Sequence, residues 1–562
     1  MRTQKLPLSQ SLRFHSLGSQ SVRTITENLH PPTTHPNSEL FNYTSGRWIY
    51  NEQPRLSERS LPFNIPALKN AIAASINRPP TSITSLSKLS EGGFNRIIQA
   101  TFNDGKSVLA RLPYPSTQPA HYTVSSEAAT LAYLRQQGFP TPEVHAWCPD
   151  RENPVGAEYI IMEKMDGVPL GEVWFSMTPK EMQKVMMQVV EWEARLFRLE
   201  FPACGSIYYR SDIPGEKMVP LSGEFCVGPT AHYSWWHGER ASLDIDRGPW
   251  SSPVDIFRAV GERELTWTKR YAQPRQPYER VYREIYQFAN ISPDSHITNL
   301  TDYLKLAPYL GFQPGTPPNR PILRHPDLQP NNILISNTHD ITGLIDWQHS
   351  SILPLGLAAS MPTHFQNHGD PDSDSLKPPR LDRPPDYDSL PPSEQETLHK
   401  RLVHFLYAAF TNRLNKPHYD AIFDAPTILR QRLLESAAIP WDGDSVSLRA
   451  ELINTIHAWP DFLAPDSSLP GKTTTPPIQY SAETINDTLA LHAQHQEADD
   501  AMQHMRRILG VDIMGWVPNE EYHAAREKAR EIKDKMLEVA ETDEDVFGVR
   551  EHFPFDDFDE RG

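Results

Sequence analysis

The sequence predicts an α+β protein of two lobes, with a small antiparallel sheet in the N-terminal lobe and a large, mainly helical C-terminal lobe. Three observations support this fold class. The chain has 562 residues, which is too long for one simple core. Runs of β-prone residues, separated by glycine-containing turns, lie between residues 86 and 113. Amphipathic helical patterns recur after residue 178.

The composition narrows the classes of partner. A formal net charge of −17 argues against non-specific nucleic-acid binding, which needs a basic surface. The three cysteines, Cys148, Cys204 and Cys226, have no CxxC spacing, so we expect neither a disulfide framework nor a zinc site. No apolar run approaches the roughly 18 residues that span a bilayer. We therefore expect no nucleic-acid partner and no integral membrane segment.

Residues 1–26 differ in charge from the rest of the chain. They contain several serines and four basic residues, Arg2, Lys5, Arg13 and Arg23, and the first acidic residue is Glu27. This composition is typical of a mitochondrial transit peptide, and the continuous apolar core of a secretory signal is missing. A disordered basic tail is the alternative. A lead-in segment broken by prolines follows at residues 27–60.

The N-terminal lobe is predicted over residues 61–167. "KLSEGGFNRIIQATFNDGKSVLARLP" is typical of three strands, and its Asn-Asp-Gly turn is a good hairpin signal. "VSSEAATLAYLRQQG" predicts a helix with serine at its start and Gly138 just after its end. "AEYIIMEKMDG" predicts another apolar strand, which Gly167 ends.

The C-terminal lobe is predicted over residues 168–540. "TPKEMQKVMMQVVEWEARLFRLE" opens with a capping box of Thr178 and Glu181, so a helix begins there. "TLHKRLVHFLYAAFTNRL" and "PNEEYHAAREKAREIKDKMLEVAE" predict further helices. A Pro/Asp-rich insertion lies near residues 366–396, and an acidic tail occupies residues 541–562.

The segment "RHPDLQPNNILIS" indicates a functional site. It is a polar loop that leads into a buried strand, and such loops usually present side chains for binding or catalysis. A turn and a second apolar strand, "ITGLIDWQ", follow it. The resulting hairpin would bring Asn332 and Asp346 together at one end. Amide and carboxylate oxygens suit Mg²⁺, which takes further ligands from phosphate. Asp327 would accept a hydrogen bond from an incoming hydroxyl, as phosphoryl transfer requires. Turn-forming residues that cap a hairpin are the alternative.

The spacing H-x-D-L-x-x-x-N from His325 to Asn332 matches the catalytic loop of the protein-kinase fold. With "EAATLAYLRQQGFPTPEV" and "ITGLIDWQ", it resembles the aminoglycoside phosphotransferase and choline kinase-like family. The leader, "GSIYY", "RGPW" and the large C-terminal lobe are similar to the fungal group named altered inheritance of mitochondria protein nine. The resemblance implies a two-lobed protein-kinase-like fold, with ATP and Mg²⁺ as cofactors.

The resemblance also implies roles for individual residues. Asp327 would be the catalytic base, Asn332 and Asp346 would be metal ligands, and His325 would brace the loop. The implied nucleotide-binding residues are Gly92, Gly93, Asn95, Arg111, Glu127, Glu163 and Met165. Arg111 stands where the family commonly has lysine, and Glu127 would open the next helix as its partner. Each of these residues also has a structural alternative. The glycines and Asn95 would form an ordinary hairpin turn, Arg111 would be a solvated charge at a strand end, and Glu127 would be a favourable acid in the first turn of a helix. The segment "IIMEKMDG", which contains Glu163 and Met165, would be a buried edge strand.

The sequence therefore predicts an ATP- and Mg-dependent phosphotransferase that acts on a hydroxyl of a small molecule or unknown acceptor in mitochondria. The alternative is a weakly active or inactive kinase-fold protein that serves as a nucleotide-sensing or mitochondrial maintenance factor. The intact Asp327, Asn332 and Asp346 favour the enzyme. A metal-dependent hydrolase built on His325 lacks a second histidine pair at ligand spacing. The sequence specifies neither an acceptor nor an oligomeric state.

The leader is testable by itself. Fusing residues 1–40 to a fluorescent protein should direct the reporter to mitochondria, because import receptors select basic, acid-poor segments. Replacing Arg2, Arg13 and Arg23 with glutamate should leave the reporter in the cytosol. Fluorescence microscopy against a mitochondrial marker measures both outcomes, and a cytosolic signal from the unmodified fusion would contradict the prediction.

Overall fold

The computed structural model of the chain describes residues 38–379, 387–462 and 475–560. The predicted transit peptide lies outside these ranges, as does the first part of the lead-in segment. Within them, no helix combines the length and apolar character needed to cross a bilayer.

The N-terminal lobe is built around a five-stranded antiparallel sheet. In chain order, its elements are α1 (Ser38–Phe41), β1 (Gly46–Trp48), α2 (Glu52–Glu58), α3 (Ile65–Ser75), β2 (Ile83–Glu91), β3 (Asn95–Phe102), β4 (Ser107–Pro113), α4 (Tyr122–Gln136), β5 (Val144–Cys148) and β6 (Tyr159–Glu163). The strand order in the sheet is β2-β3-β4-β6-β5. Side chains of β3 alternate between buried and half-buried, as expected when one face of a sheet covers a core. The three strands predicted between residues 86 and 113 are confirmed.

The turn at Asn103-Asp104-Gly105 joins β3 and β4 as the sequence predicts. The amide of Gly105 donates to the carbonyl of Phe102 at 2.9 Å, and Gly105 has a φ of +82°. A left-handed residue is required there, which explains the glycine. Helix α4 begins at Tyr122, earlier than the serine that was expected to start it. Glu127 consequently lies in the second turn of α4, and the expectation that it opens the helix is wrong.

A short connection leads from β6 into the C-terminal lobe. The next elements are β7 (Val168–Pro169), α5 (Leu170–Val173), α6 (Pro179–Leu196), β8 (Ser206–Tyr209), β9 (Val219–Pro220), β10 (Phe225–Gly228), α7 (Pro253–Tyr271), α8 (Asp294–Leu306), β11 (Pro321–Leu323), β12 (Ile333–Ile335), β13 (Ile341–Leu344), β14 (Ile352–Pro354) and α9 (Leu355–Ala358). The predicted capping box at the start of α6 is confirmed, with both reciprocal hydrogen bonds between Thr178 and Glu181 present.

Helices make up most of the remaining C-terminal lobe. They are α10 (Pro371–Asp374), α11 (Pro392–Leu414), α12 (Lys416–Phe423), α13 (Ala425–Ala438), α14 (Val446–His457), α15 (Trp459–Phe462), α16 (Ala482–Leu509), α17 (Tyr522–Val539) and α18 (Asp543–His552), and strand β15 (Trp516–Pro518) lies between α16 and α17. Helix α11 packs along α6, and both helices contribute buried side chains to the same hydrophobic core. Strand β15 pairs antiparallel with β1, so the two ends of the described chain meet.

The fold is therefore α+β and two-lobed in the protein-kinase-like manner, as predicted. A small antiparallel sheet, accompanied by α3 and α4, precedes a larger, mainly helical lobe. The segment between α6 and α7 forms a three-stranded sheet of order β8-β10-β9. Its tryptophans Trp235 and Trp250 are buried against each other with ring centroids 5.0 Å apart, so they serve packing.

Candidate active site

The segment between β11 and β12 forms a polar loop with Asp327 exposed on it. The side-chain amide of Asn332 donates to the backbone carbonyl of Asp327 at 2.9 Å and to its carboxylate at 3.2 Å. The amide of Gln329 donates to the same carboxylate. These bonds leave Asp327 accessible but orient its carboxylate.

His325 links this loop to the strand that precedes Asp346. Its Nδ1 accepts a hydrogen bond from the backbone amide of Asp327 at 3.2 Å, so its Nε2 carries the proton and donates to the carbonyl of Ile345 at 2.8 Å. Burial lowers the pKa of His325, which keeps the ring neutral at pH 7. His325 thus holds the loop in place, as the resemblance implies.

The hairpin of β12 and β13 brings the two expected metal ligands to one end. Ile333 pairs with Leu344, and the amide of Ile345 donates to the carbonyl of Asn332 at 3.0 Å. Asp346 follows directly, with 41% of its side chain exposed and a φ of +65°. A left-handed aspartate is uncommon outside functional sites and turns. The predicted proximity of Asn332 and Asp346 is confirmed.

Arg111 on β4 joins the two lobes. Its Nη1 lies 3.1 Å from the Oε1 of Glu127, and its Nη2 lies 2.5 Å from the Oδ1 of Asp346. The same Nη2 donates to the Oε1 of Gln348 at 2.8 Å. Only 6% of Arg111 is exposed, so the alternative of a solvated strand-end charge is wrong. The expected pairing with Glu127 is present.

Burial affects the charges of the two carboxylates differently. Burial raises the pKa of Glu127 to about 7, although Arg111 opposes the shift. Burial would also raise the pKa of Asp346, but the Arg111 guanidinium outweighs it and lowers that pKa below its usual value. Negative charge is therefore concentrated on Asp346, at the end where a cation would be bound.

The Gly92-Gly93 turn between β2 and β3 lies in open space. The amide of Gly92 donates to the carbonyl of Asn95 at 3.0 Å, and a Cβ atom on either glycine would meet no atom within 4 Å. The side-chain amide of Asn95 donates to Gln348. Phe94 places its ring 5.1 Å from that of His349. The loop therefore contacts the segment that follows Asp346, and the backbone of its two glycines is exposed to solvent.

Glu163 and Met165 occupy the connection between the lobes. The backbone of Glu163 pairs with Glu143 at 2.8 Å, and its carboxylate lies 3.1 Å from Arg135. The side chain and the backbone amide of Glu163 are therefore both engaged at the sheet. Met165 places its sulfur against Gly343 on β13. Strand β6 lies between β4 and β5, so the alternative of an edge strand is wrong.

Two functional features were missed from the sequence. Gln348 accepts hydrogen bonds from both Asn95 and Arg111, so it connects the glycine turn to the lobe-spanning arginine. Its position two residues after Asp346 was the available signal.

The small β8-β10-β9 sheet is the other feature. Gly205 exchanges backbone hydrogen bonds of 3.0 and 2.6 Å with Ile352, and Trp236 stacks on Tyr122 of α4.

The burial of Glu127 predicts a pH-dependent stability. Its pKa is raised in the native state, so its contribution to the free energy of unfolding is present below pH 4.5 and is lost as the pH rises through about 7. Glutamine mimics the protonated form at every pH. We expect the stability of Glu127→Gln relative to the parent to rise by about 2–3 kcal/mol between pH 4.5 and pH 8. Urea unfolding at several pH values measures this difference.

The exposed Glu152 provides the matched control. Replacing Glu152 with glutamine removes an exposed carboxylate and serves as the reference for the loss of a charge at the surface. A difference for Glu127→Gln that does not change with pH would show that the native state does not hold a proton on Glu127.

The chain matches no protein-family model. It is 32% identical over 493 residues to a subtelomeric hrmA-associated cluster protein of Aspergillus fumigatus, an alignment that covers 81% of this chain and 94% of that protein. It is 22% identical over 594 residues to the altered inheritance of mitochondria protein 9, mitochondrial, of Candida tropicalis, covering 93% and 91%. Among solved structures, the ADP-bound aminoglycoside phosphotransferase APH(2'')-Ib aligns over 75% of this chain and 97% of its own, with 14% identity and a TM-score of 0.31.

The sequence likeness to the Aspergillus protein extends over 94% of that protein, and the alignments with the Candida tropicalis and Vanderwaltozyma polyspora proteins cover 93% and 82% of this chain. The chain therefore belongs to the family of the subtelomeric hrmA-associated cluster proteins of Aspergillus fumigatus, and it is similar in sequence to the altered inheritance of mitochondria 9 proteins of yeasts.

Proposed function

We propose that this protein is an ATP- and Mg²⁺-dependent phosphotransferase that acts on a hydroxyl of a small molecule or another acceptor. The observation that carries the proposal is the continuous chain of contacts Glu127–Arg111–Asp346, next to the exposed carboxylate of Asp327. Phosphoryl transfer needs positioned charge more than covalent chemistry, and this arrangement supplies it.

The residues present fit a magnesium ion. The amide nitrogen of Asn332 donates to Asp327, so the amide oxygen is the atom suited to bind a metal. Asp346 would add an ionised oxygen from the other strand of the hairpin. Two protein oxygens leave the other positions of an octahedral ion to phosphate and water, which is the arrangement that Mg²⁺ prefers. When bound, the ion would neutralise charge on the phosphates.

The other roles fall on the residues of the chain itself. Arg111 would bind phosphate through its planar guanidinium while Glu127 holds it in orientation. The open backbone at Gly92 and Gly93 would approach the phosphates closely, since no side chain intervenes. Asp327 would accept the proton of the acceptor hydroxyl. The backbone between Glu163 and Met165 would meet the adenine.

We place this activity in mitochondria. The altered inheritance of mitochondria protein 9 relatives in several yeasts carry the word mitochondrial in their names, and they are 22–25% identical to this chain. The basic, acid-poor composition of residues 1–26 supports the same location.

A second candidate function is a nucleotide-sensing or mitochondrial maintenance factor of low or no activity. The specific observation in its favour is the ion pair of 2.5 Å between Arg111 and Asp346. In this pair the expected metal ligand already has a counter-charge. ATP and Mg²⁺ would have to redistribute these contacts, with Arg111 moving towards phosphate. The two candidates differ in turnover and not in nucleotide binding.

Arg111→Ala should weaken ATP binding by about 1.5–3 kcal/mol, the usual worth of a hydrogen bond to a charged group. Arg111→Lys should retain part of the affinity, because a compact ammonium still attracts phosphate. Isothermal titration of ATP with Mg²⁺ into each variant measures the change. Arg78, which pairs with Asp104 at 2.7 Å on the far side of the sheet, supplies the control variant Arg78→Ala. Equal affinity of Arg111→Ala and the parent would refute the assignment.

Asp327→Asn should leave the fold and ATP affinity unchanged and reduce phosphoryl transfer by about 10²–10⁴-fold, the range of a lost general base. Metabolite profiling of a deletion strain, complemented with the parent or with this variant, would reveal the acceptor. Turnover of that acceptor then measures the effect. The control Asp340→Asn changes an exposed aspartate in the turn of the same hairpin. Unchanged turnover by Asp327→Asn would favour another base.

A further inference from the structure

We propose that Glu91 is a positioning residue for the phosphate-binding turn, and that the N-terminal segment Thr44–Ser45 and the C-terminal Asn519 act on nucleotide affinity through it. The proposal rests on the phosphotransferase function proposed above. Glu91 is the residue directly before Gly92, and its side chain is fully buried.

The carboxylate of Glu91 is bound by donors from the segment before the sheet and from its own hairpin. Its Oε1 accepts hydrogen bonds from the backbone amide of Thr44 at 2.6 Å, the hydroxyl of Thr44 at 3.1 Å and the hydroxyl of Ser45 at 2.9 Å. Lys88 lies 2.9 Å from the same oxygen. Burial alone would raise the pKa of Glu91, but these hydrogen bonds and Lys88 outweigh it and lower the pKa. Glu91 is therefore a fixed anion.

The second carboxylate oxygen extends the network into the lobe. Arg96, which follows Asn95 and is fully buried, donates to the Oε2 of Glu91 from two nitrogens at 3.3 and 3.2 Å. The same guanidinium donates to the carbonyls of Leu40 and Arg59 at 3.0 and 3.2 Å. Both ends of the turn are thus tied to the segment that precedes the sheet.

The other side of the turn is also fixed. The carbonyl of Phe94 accepts hydrogen bonds from the amide of Tyr114 at 2.9 Å and from the hydroxyl of Thr117 at 2.6 Å. Only the two exposed glycines lie between Glu91 and Phe94. The position of their peptide groups is therefore set by these two fixed residues, and Glu91 is the one that is held by the segment Thr44–Ser45 before the sheet.

The N-terminal anchor depends in turn on the C-terminal region. The side-chain amide of Asn519 donates to the carbonyl of Thr44 at 2.6 Å, next to the pairing of β1 with β15. Gly46 lies so close to the Trp516 ring that a Cβ atom there would be 2.4 Å from it. Thr44 is thus held by residues more than 470 positions later in the sequence. The contact between Asn519 and Thr44 lies outside the proposed nucleotide cleft, and it is connected through Glu91 to the glycine turn that would cover the phosphates.

The test compares ATP with adenosine, which lacks phosphates. Thr44→Val with Ser45→Ala removes both hydroxyl donors, and Asn519→Ala loosens Thr44 from a distance. Each variant should bind ATP with Mg²⁺ about fivefold more weakly, which corresponds to about one hydrogen bond, while adenosine affinity is unchanged. Exchange of backbone amide hydrogens over residues 91–95, followed by mass spectrometry without nucleotide, should become faster in both variants.

The conservative pair Thr44→Ser with Ser45→Thr keeps both hydroxyls and should behave as the parent. Asp104→Asn breaks the ion pair with Arg78 at the opposite end of the sheet and should change neither affinity nor exchange over residues 91–95. Equal losses for ATP and adenosine, or unchanged ATP binding and exchange, would overturn the positioning role. Failure of the parent itself to bind ATP would instead overturn the proposed function.

Discussion

The arrangement of the site depends on one buried guanidinium. Arg111 extends from the N-terminal sheet, contacts Glu127 on α4 and reaches Asp346 in the C-terminal lobe. Taking a charge out of water is expensive unless its partners are close and well oriented. Because Arg111 is almost fully buried, the relative positions of sheet, helix and hairpin are constrained together. Arg111 is paired with both carboxylates at once, so the three groups form one unit.

The small β8-β10-β9 sheet supports this unit from outside. Gly205, directly before β8, exchanges backbone hydrogen bonds with Ile352 of β14, shortly after the loop that carries Asp346 and His349. Strand β8 packs on α4, and the stacked pair of Tyr122 and Trp236 lies at the helix start. A segment between two helices of the C-terminal lobe thereby holds the helix that presents Glu127. The orientation of α4 follows from packing on both lobes rather than from its own amphipathicity.

The chain ends add a second layer of constraint. Strands β1 and β15 pair, and the backbone carbonyls of residues 551, 553 and 556 accept hydrogen bonds from Arg280 at 2.7, 2.5 and 3.0 Å. Asp557 accepts a hydrogen bond from the amide of Asn51 at 2.5 Å. The acidic residues at the C-terminus are therefore engaged with the N-terminal segment and with the connection after α7. Through Thr44 and Glu91 these contacts extend to the glycine turn.

Local sequence determined the elements whose signals are short-range. The Asn-Asp-Gly turn, the capping box of α6 and the hairpin around Asn332 and Asp346 each depend on a few neighbouring residues, and each forms as predicted. Tertiary structure decided the start of α4, the partners of Gln348 and the anchoring of Glu91. Those depend on contacts between residues far apart in the chain, where loop closure and burial outweigh local preference. The sequence thus determined which chemical groups are available, whereas packing decided which of them meet, because a buried charge is stable only where its partners converge.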